Sequence, residues 1–323
     1  LSGDNRIHNY SEWGLTNFYS ENNRNNYSAS PTFNSTPSLQ KNTGYNQYDL
    51  FQKFSIRLPK DMLLNLNLQY SSSSDIPRYD KLSEIKNGTL KFSEWYYGPQ
   101  ERIFISPQLK FFLGKSWLKK GTITGAFQKI KESRINRKFD ELRRLYFNEK
   151  VNVFSLNADF NGSGGSNISY SYGLELTHNS IDSNAFSNDL VINNERISNL
   201  INSESIPSRY PDAGSSYSSY AAYLNFIYEL SEKLTFNAGI RITSTLLKAN
   251  WNDSTRVNKL LSSLNLKKEA LTGTIALTYL LKEKWKLSSL ISSGFRNPNI
   301  DDIGKVRENS GFLLVPNSFL KPE

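Results

Sequence analysis

The chain contains no cysteine, one methionine and two histidines, His8 and His178. The missing cysteine excludes disulfides and thiolate-held metals, although by itself it does not name a compartment. No nucleophile, base and orienting group can be assembled by spacing. No phosphate-cradling glycine loop or metal motif occurs, so nothing points to catalysis or to a resident cofactor. No apolar run is long enough for a membrane-crossing helix. That leaves membrane strands open, because a barrel strand needs only about 10 residues of alternating character. No signal peptide precedes Leu1, and the Leu-Ser-Gly-Asp-Asn opening is not a translation start. The expectation is an internal fragment or a truncated gene product.

The formal charge of +9 comes from lysines and arginines scattered along the chain. They form no single stripe, which argues against a nucleic-acid partner. A solvated surface is the plain reading. On a barrel, basic residues near the outer rim could also meet lipid phosphates.

Of the 323 residues, 37% are hydrophobic and 13% aromatic. That balance suits strands with one apolar and one polar face. Leu64, Leu66, Leu68 and Tyr70 alternate with Asn65, Asn67 and Gln69, the cleanest period of two in the chain. Phe154, Leu156, Ala158 and Phe160 alternate likewise, as do Tyr170, Tyr172, Leu174 and Leu176. So do Trp285, Leu287, Ser289, Ile291, Ser293 and Phe295, before Asn297-Pro298 ends the strand. Short turns fall near Pro59, Lys115, Gly164, Glu232 and Glu283. Long connections fall at 20–46, 71–100, 132–148, 179–216 and 249–268, with a short helix possible over 139–147 and helical spacing over 189–201. Short and long alternate throughout. A transmembrane barrel requires that parity, with short turns periplasmic and long loops extracellular; a soluble sandwich does not. The reading is all-β: an antiparallel transmembrane barrel, present as a partial wall of about eleven strands. Its edges are expected near Tyr10–Tyr19 and at Trp285–Phe295.

The stretches SGFRNPN (residues 293–299) and VPNSFLKPE (residues 315–323) together resemble the paired boxes of TonB-dependent outer-membrane receptors, most closely their haem/haemoglobin-type branch. The matching positions are Phe295, Arg296, Pro298, Pro316, Asn317 and Leu320. Asn297 stands where the family usually has alanine, and Ser318-Phe319 also departs from the common form. SSSSDIPRYD, EWYYGPQ and RYPDAGSSYSSYAAYL resemble the same branch. The resemblance implies that residues 1–323 are part of a receptor barrel of roughly 22 strands, lacking the plug domain and the C-terminal strands. It implies an outer-membrane location in a Gram-negative bacterium, surrounded by outer-membrane lipid. It also implies import of an iron complex, haem or siderophore, powered by the TonB-ExbB-ExbD complex through an N-terminal region not present here. The alternative is a passive pore or surface-binding barrel without energy coupling.

Candidate ligand-binding residues are Arg296, Asn299, Tyr96, Tyr97, His178 and Tyr217. Haem receptors of this branch often carry a histidine between the boxes. Residues 299–314 contain none, so His178 is the remaining axial candidate, set against a plain rim histidine. Asp301 and Asp302 could hold a cation, or cap a short helix. Arg296 could contact cargo or form an ion pair. The clusters Trp95-Tyr96-Tyr97 and Tyr217, Tyr220, Tyr223 could stack on a flat ligand or form an interfacial girdle.

Overall fold

The computed structural model describes residues 18–23, 25–36, 39–252, 262–282, 285–303, 307–309, 312–314 and 320–323. Thirteen strands form one antiparallel sheet. In chain order they are β1 (Gln47–Leu58), β2 (Met62–Ser73), β3 (Ile76–Pro77), β4 (Phe92–Tyr97), β5 (Glu101–Lys115), β6 (Leu118–Lys138) and β7 (Arg143–Ser163). They continue with β8 (Ile168–Asn193), β9 (Arg196–Ser205), β10 (Ser215–Ser231), β11 (Leu234–Asn250), β12 (Ser263–Lys282) and β13 (Trp285–Ser292). Ten long strands run side by side in the order β13-β12-β11-β10-β8-β7-β6-β5-β2-β1. β9 pairs with the far end of β8, and β4 with the far end of β6. β1 and β13 are edges, so the sheet is a wall and not a closed barrel.

Residues directly opposite one another in a sheet share a face, and the register turns sequence alternation into two chemical surfaces. One row reads Ile56, Leu64, Leu109, Ile123, Ala158, Leu174, Ala222, Ile242, Leu271 and is apolar from strand to strand. The next row, one residue along, reads Ser55, Asn65, Gln108, Thr124, Asn157, Glu175, Ala221, Thr243, Ala270. The first is the lipid face; the second is the lumen face. Leu64, Leu66 and Leu68 thus belong to the lipid face, and Asn65 to the lumen row. The apolar outer segments 168–176 on β8, 220–228 on β10 and 271–279 on β12 are each about nine residues, enough for one tilted crossing. Tyr228 and Tyr279 sit at one end of these segments and Tyr220 at the other, the positions of interfacial anchors. An apolar groove lined by Leu224, Phe226, Ile240, Leu271, Ile275 and Ile291 lies on the outer face, where acyl chains pack.

The lumen face is tied together by polar contacts. Gln108 Nε2 donates to Thr124 Oγ1 at 3.1 Å, and Arg241 pairs with Glu175 at 3.1 Å. Gly173 has a steric duty: the Tyr223 ring lies where its Cβ would be, at 2.7 Å. The ring crosses that gap so that its hydroxyl donates to Asp159 at 2.6 Å.

Several sequence expectations are corrected. Residues 132–148 are not a charged loop, and no helix forms over 139–147. β6 runs to Lys138 and β7 starts at Arg143, leaving a tight hairpin tip. Residues 179–216 are likewise mostly β8 and β9, joined at Asn194-Glu195, whose φ values of 49° and 61° suit a two-residue hairpin turn. β11 and β12 also extend into the expected 249–268 loop. Beyond the lipid both faces are polar, so the period of two fades although the ladder continues. Phe18–Tyr19 pairs with Thr32–Phe33 outside the sheet, which makes β1 the first edge. The rest of the expected Tyr10–Tyr19 edge lies outside the described residues. Tyr217, Tyr220 and Tyr223 are not one cluster: the first and third face the lumen side, and Tyr220 faces lipid.

Above the lipid the connections pack rather than float. Helix α1 (Tyr79–Leu82) buries Tyr79 and Leu82, and Ser20 N–H donates to the Leu82 carbonyl at 3.1 Å. Beside it Glu94 is fully buried between two arginines, Arg137 at 2.7 Å and Arg144 at 2.8 Å. Burial works against the Arg144 charge, but Glu94 outweighs it and holds Arg144 above the usual guanidinium range.

Candidate functional site

The inner face above the lumen row carries a belt of aromatic and charged side chains. It is built by β4, β6, β7 and β8, the 206–213 connection, and helix α2 (Ile300–Ile303). Arg134, Glu132 and Glu149 share this face because Glu132 opposes Glu149 and the alternation from Thr124 is unbroken. Trp95 opposes Asn136 and Tyr97 opposes Arg134, so both rings face inward.

Tyr97 is flanked by two guanidiniums. Arg78 lies 4.8 Å from the Trp95 ring centroid and 5.8 Å from that of Tyr97, and its Nη1 donates to the Tyr97 hydroxyl at 3.2 Å. Arg134 lies 5.6 Å from the Tyr97 ring on its own side. Stacking of this kind suits arginine, whose planar cation is weakly hydrated. Each guanidinium also has a carboxylate, Asp80 for Arg78 and Glu132, at 3.0 Å, for Arg134. The hydrogen bond to Asp80 raises the Arg78 pKa further. Tyr210 continues the belt: its hydroxyl donates to Asp301, and burial with that bond pushes its pKa up.

α2 explains the other end. Asn299 is its N-cap, accepting from the N–H of Asp301 at 2.8 Å and of Asp302 at 3.1 Å. Asp302 reaches back to the Asn299 N–H at 3.0 Å, a reciprocal capping box. Ile300 and Ile303 pack on Leu247, Ala249, Trp251 and Leu264, with Tyr217 and Leu320 alongside. Asn297 Nδ2 donates to buried Thr245 Oγ1 at 2.8 Å. Arg296 and Glu323 exchange both backbone hydrogen bonds at 3.0 Å, so the ends of the two boxes meet. The Arg296 guanidinium also pairs with Asp302 at 2.8 Å.

The candidates from sequence therefore separate. Tyr97, Tyr217, Arg296 and Asn299 belong to the inner face or to the segment folded against it. Tyr96 is buried on the opposite face. His178 is also on the outer face, opposite Phe154, with its Nδ1 2.8 Å from Ser218 Oγ. Phe295 and Pro298 are partly buried, whereas Pro316 and Asn317 lie outside the described residues. Among the described residues no group of acidic, histidine or cysteine side chains is arranged to hold a metal. Arg78, Arg134, Glu149 and Tyr210 were missed in sequence. The signal for Arg134 was present: inward alternation continues through Glu132, Arg134 and Asn136. Chemically, the belt can stack on a flat group and pair with charge.

A lipid-faced, lumen-lined antiparallel wall with short turns at one end and packed connections at the other defines the wall of an outer-membrane transport barrel. A match to the family described as "TonB dependent receptor-like, beta-barrel" extends over residues 2–323, and the chain belongs to that family. The family's place is the outer membrane of Gram-negative bacteria. Similar solved structures include the ferric citrate transporter FecA in its unliganded form, 14% identical with a TM-score of 0.58, covering 79% of this chain and 37% of that one. The Serratia marcescens hemophore receptor HasR, in complex with its hemophore HasA and heme, is 14% identical with a TM-score of 0.58, covering 86% and 40%. The copper transporter OprC is 9% identical with a TM-score of 0.59, covering 86% and 40%. At these identities the likeness is one of fold. The chain spans less than half the length of each of these structures. No curated protein sequence matches it.

Proposed function

We propose that this chain is the barrel wall of a receptor that captures an iron complex outside the cell and imports it with energy passed through TonB, ExbB and ExbD. The observation that carries the reading is the belt of Arg78, Trp95, Tyr97 and Arg134 on the inner wall of a TonB-dependent receptor barrel. Such a belt meets incoming cargo before the lumen does. Stacking faces beside guanidiniums fit a flat, oxygen-rich, anionic complex. Between the two cargo classes, a siderophore-type complex is favoured over haem, because His178 points to the outer face and is engaged with Ser218. The relatives named above transport ferric citrate and copper or bind a heme carrier, so fold alone does not select among cargoes.

The test is growth of an iron-starved Gram-negative strain lacking its own receptors and expressing the complete gene product. Haem, a ferric carboxylate or a ferric catecholate is supplied as sole iron, with TonB present or deleted. TonB-dependent growth on a ferric siderophore is the expected result. Growth on haem alone would overturn the cargo class, and uptake that survives loss of TonB would make the protein a passive pore.

A further inference from the structure

Glu149 differs from the other carboxylates of the inner wall. It is 3% exposed, and neither carboxyl oxygen has a hydrogen-bond partner among the described residues. Buried polar groups nearly always find partners, and a charge without one is the costliest case. On the outer face Glu149 is flanked by Asn148 and Lys150, and Lys150 pairs with Asp182, so this stretch of β7 lies above the lipid segment.

The groups around it come from four elements. β6 contributes Glu132, directly opposite, and Arg134, which is already engaged by Glu132. β8 contributes Ser183, directly opposite on the other side. The 206–213 connection contributes Tyr210, whose N–H donates to Ser183 Oγ at 3.4 Å, and Arg209, stacked 5.1 Å over the Tyr210 ring. α2 contributes Asp301, held by the Tyr210 hydroxyl. Lys131 and Lys150 belong to the outer face. The connection thus sits over the residue beside Glu149, with Pro211 fully buried and Ser208 8% exposed.

Its ends are fixed by backbone hydrogen bonds, and its middle is held by the Tyr210 and Asp212 contacts and by the turn bond from the Gly214 N–H to the Pro211 carbonyl at 3.2 Å. Ile206 N–H donates to the Ala185 carbonyl at 3.1 Å. Ala213 and Gly214 exchange hydrogen bonds with Asn250 at 3.1 and 3.0 Å, and Gly214 has a φ of +91° that few other residues adopt.

We propose that the 206–213 connection is a proton-dependent latch, seated on the inner wall while Glu149 is protonated and lifted when Glu149 ionises. Burial, opposed by Arg134 and helped by Glu132, pushes the Glu149 pKa from 4.5 up to about 7. A raised carboxyl pKa means that the seated state prefers the proton. Its contribution to seating is complete below pH 4.5 and is lost as pH rises through about 7. The shift corresponds to a change on the order of a hundredfold in the seated-to-lifted ratio. Lifting carries Tyr210 away from Asp301 and widens the inner wall beside Arg134 and Tyr97. Acid closes this rim and neutral pH opens it.

Residues 1–323 contain no cysteine, and any thiol elsewhere in the complete gene product is first replaced by serine. Ser208→Cys is introduced into the complete gene product, with and without E149Q, and maleimide labelling is followed in vesicles from pH 5 to 8.5. Comparing the two backgrounds at each pH cancels the thiol's own titration. The expected result is equal labelling at pH 5 and at least tenfold faster labelling without E149Q at pH 8.5. A ratio near one at every pH would overturn the latch. Hydrogen exchange of residues 206–214 in the unmutated protein, corrected for intrinsic rates, gives a second readout that does not depend on E149Q folding. Protection should fall between pH 5 and 8, and constant protection would equally overturn the proposal.

Discussion

Replacing Leu224 by arginine tests the assignment of the two faces most directly. Leu224 is the central outer residue of the 220–228 segment, flanked by Tyr172 on β8 and Ile240 on β11. Its side chain is 47% exposed, and in the membrane that exposure is to hydrocarbon. A guanidinium held there must be dehydrated or must thin the bilayer around it, at a cost of about 2–4 kcal/mol near the midplane. That is roughly a 30- to 700-fold loss in the folding equilibrium, at about 1.4 kcal/mol per tenfold. The neighbouring residue is the control. Asn225 pairs with Ser171 and Gly239 on the lumen face, and Asn225→Arg should cost less than about 1 kcal/mol because water and polar groups receive the charge. The assay is urea-dependent folding of the complete gene product into phospholipid vesicles, comparing both variants with the parent. Equal costs at the two positions, or a larger cost at Asn225, would refute the assignment and with it the reading of the whole wall. Leu66, on the same face of β2, should behave like Leu224.

Three further outcomes follow from particular contacts. Glu94→Gln leaves Arg137 and Arg144 buried without their carboxylate and should cost about 3–5 kcal/mol locally. It should be read as faster proteolytic cleavage within residues 18–36 on intact cells, and unchanged cleavage would show that the triad does not hold that segment. Gly173→Ala places a methyl 2.5 Å from the Ala158 carbonyl and 2.7 Å from the Tyr223 ring, so it should destabilise by about 1–3 kcal/mol in the same folding assay. Tyr223→Phe keeps the ring and loses only the hydroxyl bond to Asp159, and should cost less. Asn297→Ala restores the residue usual in the family yet removes the bond to Thr245; a loss of about 0.5–1.5 kcal/mol is expected, and a gain in stability would show that Asn297 is not a structural anchor.

Within the lipid, the sequence by itself determined the fold. Hydrocarbon on one side and a polar lumen on the other force every second residue to be apolar, a rule that operates over neighbouring residues and is visible in Leu64–Tyr70, Phe154–Phe160 and Tyr170–Leu176 without any knowledge of partners. The same locality made the short turns legible and, through them, the parity of the wall. Above the lipid that constraint disappears. Both faces of β6, β7 and β8 meet polar surroundings, so 132–148 and 179–205 read as loops although their backbone ladders continue, with two register shifts where β9 pairs with β8. What is buried there is decided by contacts between remote parts of the chain: Glu94 with Arg137 and Arg144, Tyr210 with Asp301, Arg296 with Glu323. Tyr96 and Tyr97 show the limit most plainly. They are adjacent and chemically identical, but one pairs opposite Ile135 and is buried on the outer side, and the other pairs opposite Arg134 and stands in the inner belt. Only the register of β4 on β6 made that choice, because a side chain's face depends on which residue the ladder sets across from it.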